Sequence, residues 1–351
     1  MRWPGNSRAE VWIRRAMRLV VGSLDFDLWI PWKNTWSMPQ QLVDKLRPKL
    51  PLPTSTRAMR MTLRSQYAAL LIPCTVNFQA LTDLTLCAFE FTEGHGDRLC
   101  GLLSSSSCCP RLRNLKLSHL GLEELKLNCR ALEMLHLESL TSMSLLDVNA
   151  PRLSSLHAET KFMFQQISAT PPSSITIRAP ALKTTLMVDD LNEIAEISEL
   201  PSVIKLTLRC CSDNSHYFGE TVIGILARCS NLQYLHLGNR IHVYDPPCDE
   251  GCTTCNLPRI WKDDVISLKH LQDVDFGGFF GKDYCLDMVQ LLLASAPALE
   301  RMLLRTKASR EGWQPEKIVM ESLESRLPRG KGNWIAHLAA NVSSAEYVWT
   351  P

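Results

Sequence analysis

Three cysteines fall within eight positions in YDPPCDEGCTTCNLP, residues 244 to 258, as Cys248-x3-Cys252-x2-Cys255. Three chemistries use thiols at such spacing. Structural zinc takes four Cys or His ligands, usually as two close pairs. A fourth ligand here would be His242, Asp249, Cys229 or Cys285, and no second pair stands at finger-like distance. Cys252-x2-Cys255 also has the spacing of a redox dithiol. The third reading is an ordered loop with free thiols, which the missing second pair favours. Cys248, Cys252 and Cys255 are therefore candidate zinc ligands without a closed ligand set, and no cofactor is expected.

Catalytic constellations are harder to find. The chain has no G-x-S-x-G, H-E-x-x-H, G-x-G-x-x-G or G-x-x-x-x-G-K-[ST]. GFFGK, residues 278 to 282, has glycines only three apart and no following Ser or Thr, so it is no phosphate loop. EGHGD offers His95 and Asp97 in a turn before a helix, with no nucleophile beside them. The expectation is a protein that is not an enzyme.

What positions these residues is a recurring Leu-x-x-Leu-x-Leu line. It runs through Leu81-TD-Leu84-T-Leu86, Leu112-RN-Leu115-K-Leu117, Leu122-EE-Leu125-K-Leu127 and Leu132-EM-Leu135-H-Leu137. Later lines start at Leu153, Val203, Leu232, Leu271 and Leu299, many behind a Pro or Asn. Leu112, Leu132 and Leu153 step by 20 and 21, the length of a leucine-rich repeat. The Leu122 line falls midway, where no helix fits, and reads as an extended return on the outer side of the coil. Later steps are longer, up to 39 between Leu232 and Leu271, and leave room for helices in YFGETVIGILARCS and YCLDMVQLLLASAP. The second puts Leu286, Val289, Leu292 and Leu293 on one apolar stripe.

The expected fold is α/β, a leucine-rich-repeat solenoid. Its parallel strands line the concave face, and irregular, extended and helical segments form the outer one. Strand side chains alternate, so Asn114, Lys116, Met134, His136, Lys205, Thr207, Tyr234 and His236 are expected to point outward. That strip suits a protein partner, with Lys116, His136, Lys205, Tyr234 and His236 as candidate contacts. Residues 1–75 read as an N-terminal cap in which Met59, Met61 and Leu63 alternate like a first strand. Residues 76–260 are the repeats, with the Cys-rich stretch inserted near 244–258 in the longest step. Residues 261–308 make a terminal repeat region. The tail, 309–351, is irregular until AEYVWTP, which has the alternation of a last strand.

Composition bounds the partners. The 351 residues carry 45% apolar and 21% charged side chains and a net charge of +2, which gives no bulk attraction to nucleic acid or to an acidic membrane. Arg8, Arg14, Arg15 and Arg18 alternate with Trp12, Ile13 and Leu19 as in a half-buried amphipathic helix. No signal peptide or membrane span is read. The 13 cysteines are then reduced thiols of the cytoplasm or nucleus, mostly small buried groups at the ends of leucine lines. The sequon at Asn341 carries no weight in that setting.

Residues 108 to 159 resemble plant F-box/leucine-rich-repeat proteins, particularly the grass expansion. Residues 267 to 304, ending in APALERMLL, are similar to the FBD region of that family, and residues 11 to 28 to the stretch after its F-box. The resemblance implies the substrate-selecting part of an SCF-type ubiquitin-ligase receptor, a non-catalytic scaffold. No F-box-like module is read before Arg8, so a Skp1-type adaptor is expected as a partner only if that module is missing from this gene model. The alternatives are a stand-alone leucine-rich-repeat binder or inhibitor, and a zinc protein acting through the Cys248–Cys255 loop.

Overall fold

The computed structural model describes residues 11, 15–28, 49–91, 94–140, 143, 145–159, 174–184, 200–210, 218–239, 266–279, 283–307, 321, 323, 325, 332–338 and 344–351. The Cys248, Cys252 and Cys255 loop, His242, Asn341, Trp12 and Ile13 lie outside the described residues. The chain forms two compact units, Met1–Ala181 and Leu182–Pro351.

One backbone device recurs in both. A buried residue, usually Cys or Ala, opens a turn, and its carbonyl accepts the N–H three positions on. The bonds are Leu112 N to Cys109 O at 3.2 Å, Leu153 N to Ala150 O at 3.0 Å, Leu232 N to Cys229 O at 3.4 Å and Leu299 N to Ala296 O at 3.2 Å. The residue before each strand then lends one carbonyl to two N–H groups of the next coil. Arg113 O takes Glu133 N and Met134 N, and Gln233 O takes Gln272 N and Asp273 N. Coils are thereby stepped one strand apart in parallel register. The Leu-x-x-Leu-x-Leu spacing follows: the first leucine plugs the turn, and the next two face inward on the strand. Leu112, Leu115, Leu117, Leu132, Leu135 and Leu137 are all buried, each worth about 1.5–3 kcal/mol of transfer free energy.

In the first unit a main sheet joins β1 (Val21–Leu28), β3 (Arg57–Leu71), β4 (Asp83–Glu90), β5 (Asn114–Ser118), β7 (Met134–Glu138) and β9 (Ser155–Glu159) in that order, with β2 (Lys49–Pro51) on β3. A second sheet orders β10 (Ser174–Arg178), β8 (Leu145–Asn149) and β6 (Glu124–Asn128). Both are parallel throughout. The Leu122 line is thus a true strand, β6, on the return side of its coil. His119 and Ser139, at φ 54° and 49°, turn the chain at equivalent corners after β5 and β7.

Helix α1 (His95–Ser104) covers the free edge of β6. Cys100 Sγ donates to Glu124 O at 3.5 Å and Ser104 Oγ to Lys126 O at 3.0 Å, while Asn128 N donates to Ser104 Oγ at 3.0 Å. Four helical residues advance about 6 Å and two strand residues about 6.6 Å, so side chains four apart on a helix can serve alternate carbonyls of a strand. Such an edge would otherwise invite pairing with another chain.

The N-terminal segment departs from the expected pattern. Helical residues 15–19 bury Met17 but leave Leu19 exposed. Strand β3 follows β1 rather than leading the sheet, and its methionines do not share a face. Met61 and Leu63 are buried, whereas Met59 is 51% exposed. The register slips between Gly22 and Ser23, whose partners are Ala58 and Arg60, so Met59 is the extra residue of a bulge. One inserted residue inverts the inside–outside phase.

The second unit has one sheet in the order β11 (Lys205–Cys210), β12 (Tyr234–Asn239), β13 (Asp273–Gly277), β14 (Arg301–Lys307), β16 (Ser344–Thr350), β15 (Asn333–Leu338). The first four are parallel and the last two antiparallel. Helices α2 (Phe218–Leu226) and α3 (Asp283–Ser295) fill the longer steps. Leu286, Val289 and Leu292 are buried, Leu293 sits at the margin, and Cys285 and Met288 are buried as well, so α3 is covered over more than one stripe. AEYVWTP does form a strand, with Ala345, Tyr347 and Trp349 inward. The tail also supplies β15, where Trp334 pairs with Trp349. Gly332 precedes it because a Cβ there would run into the Trp349 indole.

Candidate functional site

Register assembles the outward side chains of the first unit into rows. Asp83, Asn114, Met134 and Ser155 form one row, and Thr85, Lys116, His136 and His157 the next. Charges on this face are matched within it: Arg60 to Asp83 at 3.7 Å, Arg64 to Asp25 at 3.5 Å and Lys116 to Glu138 at 3.0 Å. Asn114 Nδ2 adds a hydrogen bond to Asp83 Oδ1 at 2.6 Å. Solvent-exposed pairs of this kind contribute about 0–1 kcal/mol each.

Lys116 and His136 meet through Glu138, which sequence reasoning passed over. Glu138 Oε2 receives the Lys116 ammonium and, at 3.2 Å, His136 Nε2. The Lys116 hydrogen bond holds the Glu138 carboxyl below the usual range, with His136 assisting. The other neighbour of His136 is His157, stacked at 4.0 Å with the rings 6° from parallel. Met134, 49% exposed, stands beside this group.

In the second unit the rows are Lys205, Tyr234, Asp273, Arg301 and Thr207, His236, Asp275, Leu303. His236 Nδ1 and an Arg305 Nη2 both reach Asp275 Oδ2 at 3.1 Å, and Arg301 pairs with Asp273 at 3.1 Å. Asp275 Oδ1 is buried without a hydrogen-bond partner. Thr207, expected outward, is only 8% exposed. It lies beside His236 on the paired strand, and the sheet's alternation does not report what covers a face. Tyr234 is 42% exposed, and neither it nor Lys205 has an ion pair or side-chain hydrogen bond among the described residues.

The five candidate contacts therefore divide. Lys116, His136 and His236 are tied to carboxylates of their own sheet, and Lys205 and Tyr234 are adjacent and uncommitted among the described residues. Asp275 was legible in principle. It occupies the same place in the Leu271 line as His236 does in the Leu232 line, so stacking the lines brings the two together.

His95 has a structural use. It opens α1 behind Gly94, whose φ of 75° suits glycine, and its Nδ1 accepts the Ile72 N–H at 2.9 Å. Burial first, and the nearby Arg98 charge second, lower its pKa. Eight cysteines among the described residues are thiols outside any disulfide. Burial pushes Cys109, Cys129 and Cys229 up to about 12, far from the reactive thiolate range. Among the described residues no group of three or more His, Cys, Asp or Glu is placed to hold a metal ion, and no helix is long and apolar enough to cross a membrane.

A family model described as the LRR repeats of FBD-associated F-box protein At5g56370 matches residues 11–200. No curated protein matches the chain.

Proposed function

The chain belongs to the leucine-rich-repeat family of the plant FBD-associated F-box proteins, and from this premise we propose that it is a non-catalytic receptor that selects a protein substrate for an SCF-type ubiquitin ligase. The family speaks for a protein-interaction role in general. In the proposed reading the coils of each unit stack as a solenoid and present their outward strand face to the substrate, in the cytoplasm or nucleus. Residues 261–308 act as the FBD-like terminal repeat of this scaffold.

The observation that carries the reading is the pair Lys205 and Tyr234. Both are exposed on rigid, register-locked strands, and neither is consumed by a contact within the sheet. An exposed Tyr is among the side chains that dominate protein–protein contact energies, and the ammonium beside it adds a charge that can steer a partner. Lys116, His136 and His236 act through their carboxylate partners, so they shape the face more than they bind.

A photo-crosslinking phenylalanine analogue at Tyr234 tests this in cells. The expected product is a crosslink to one protein whose level rises on proteasome inhibition and whose ubiquitin conjugates fall when the chain is removed. Lys205→Glu should reduce the crosslink several-fold. A crosslinked partner indifferent to the proteasome would instead identify a stand-alone binder.

A further inference from the structure

We propose that the turns leading into β5, β7 and β9 form a basic rim that receives an acidic segment of a protein partner, an inference that rests on the protein-binding reading above. The turns are Cys109-Pro110-Arg111-Leu112, Cys129-Arg130-Ala131-Leu132 and Ala150-Pro151-Arg152-Leu153. Each is closed by the backbone bond from its leucine, and two carry proline, so the positions between are held rigidly. Arg111, Arg113, Arg130 and Arg152 are all exposed. Adjacent parallel strands lie about 4.8 Å apart, which gathers the four guanidinium groups over three coils, roughly 10 Å of sheet.

Their neutralisation is incomplete. Glu133 is the one carboxylate on these turns, and a single oxygen of it serves both Arg113 at 3.8 Å and Arg152 at 3.5 Å. Arg111 and Arg130 make no ion pair or side-chain hydrogen bond among the described residues. This contrasts with the strand face just below, where Arg60, Arg64 and Lys116 are each matched. Guanidinium groups bind carboxylates through paired N–H donors, and a rigid frame spares part of the ordering cost. The occupant is a short acidic stretch rather than a nucleic acid. A net charge of +2 over 351 residues provides no long-range field for a polyanion, whereas four guanidinium groups and one carboxylate are gathered locally at these turns.

The test is fluorescence anisotropy of the full chain with fluorescein-labelled octaglutamate at low salt. Saturable binding is expected that weakens as salt is raised. Arg111→Glu with Arg130→Glu should weaken it roughly tenfold or more, since charge reversal replaces attraction with repulsion. Arg111→Gln with Arg130→Gln should give an intermediate loss with an unchanged thermal melt, which separates binding from folding. Lys205→Glu, in the second unit, should leave octaglutamate affinity unchanged. Crosslinking from Tyr234 should survive the rim variants as a contact of the strand face, so the two readings can fail separately. Absence of saturable binding, equal affinity in the double variants, or tighter binding of an eight-base oligodeoxythymidine through the same arginines would overturn the proposal.

Discussion

The two units share a turn and differ in what they build on it. Cys109 and Cys129 in the first and Cys229 in the second open the same three-residue bond, and all three are buried. At the turn position before the leucine, however, the first unit has Arg111, Ala131 and Arg152, with Arg130 one place earlier, and the second has Ser202, Asn231, His270 and Ala298, with Lys269 one place earlier. Neighbouring turns are tied in both units, through Glu133 to Arg113 and Arg152 in the first and through Asn231 Nδ2, which donates to Pro201 O at 2.7 Å, in the second. The return path differs too: helix α1 and then strands β6, β8 and β10 in the first unit, helices α2 and α3 in the second. The turn constrains only its buried first residue, which is Cys, Ala, Leu or Phe, and the buried Leu or Val that closes it. Everything between them is open to binding chemistry, and the step length decides whether a strand or a helix closes the coil.

The largest test of the shared turn-and-strand frame is removal of an equivalent leucine from each unit. Leu135→Ala and Leu235→Ala both truncate buried strand residues, and each should cost about 2–5 kcal/mol in chemical denaturation. A loss under about 1 kcal/mol at one of them would show that the two cores are not equivalent.

A smaller contrast lies at the cysteines. Cys129 Sγ donates to Leu103 O at 3.0 Å, so serine in its place keeps an acceptor. For Cys229 no side-chain partner is present among the described residues, and serine would bury an unsatisfied hydroxyl. Cys229→Ser should therefore cost about 1–3 kcal/mol and Cys129→Ser clearly less. Equal losses would mean that the Leu103 contact contributes nothing. In the folded protein both thiols should also resist alkylation at pH 8, while exposed Cys74 reacts.

The smallest expected effect belongs to the first unit and varies with pH. His95 has a lowered pKa in the fold, so below its ordinary value near 6.5 the unfolded chain binds more protons than the folded one. Its contribution is complete above that value and is lost as pH falls through the folded pKa, because a protonated ring cannot accept the Ile72 N–H. Hydrogen exchange at the Ile72 amide should lose protection between pH 7 and pH 5, after correction for intrinsic rates. His95→Phe should abolish that dependence. Helix α3, which starts at Asp283 without a histidine, should show no such step.

Much of the fold was legible because periodicity is local. The spacing of Leu112, Leu115 and Leu117 follows from one turn and two inward strand positions, and ten residues between leucine lines leave room only for an extended return. The stripe on α3 and the alternation in AEYVWTP were readable for the same reason. Strand β15 was not: Ile335 is exposed and its residues lack a clean alternation, so only pairing with β16 makes NWIAHL a strand. Met59 misled because a single inserted residue reverses the facing of everything before it.

The candidate site divides along the same line. Which residues lie on the outward face is a matter of alternation, and that placed Lys116, His136, Lys205, Tyr234 and His236 on strands in advance. Which of them remain available depends on neighbours brought in by register: Glu138 binds Lys116 and His136 and Asp275 binds His236, while Lys205 and Tyr234 have no ion pair or side-chain hydrogen bond among the described residues. The same holds for the arginine rim, whose members are some 20 residues apart in sequence and become neighbours only when the coils stack. Sequence alone determined the repeat, its turns and, apart from Met59 and Thr207, its facing, because these are set by backbone geometry over a few residues. The tertiary structure alone decided which charges are neutralised and which are left for a partner, because Coulomb and hydrogen-bond partners are chosen across strands.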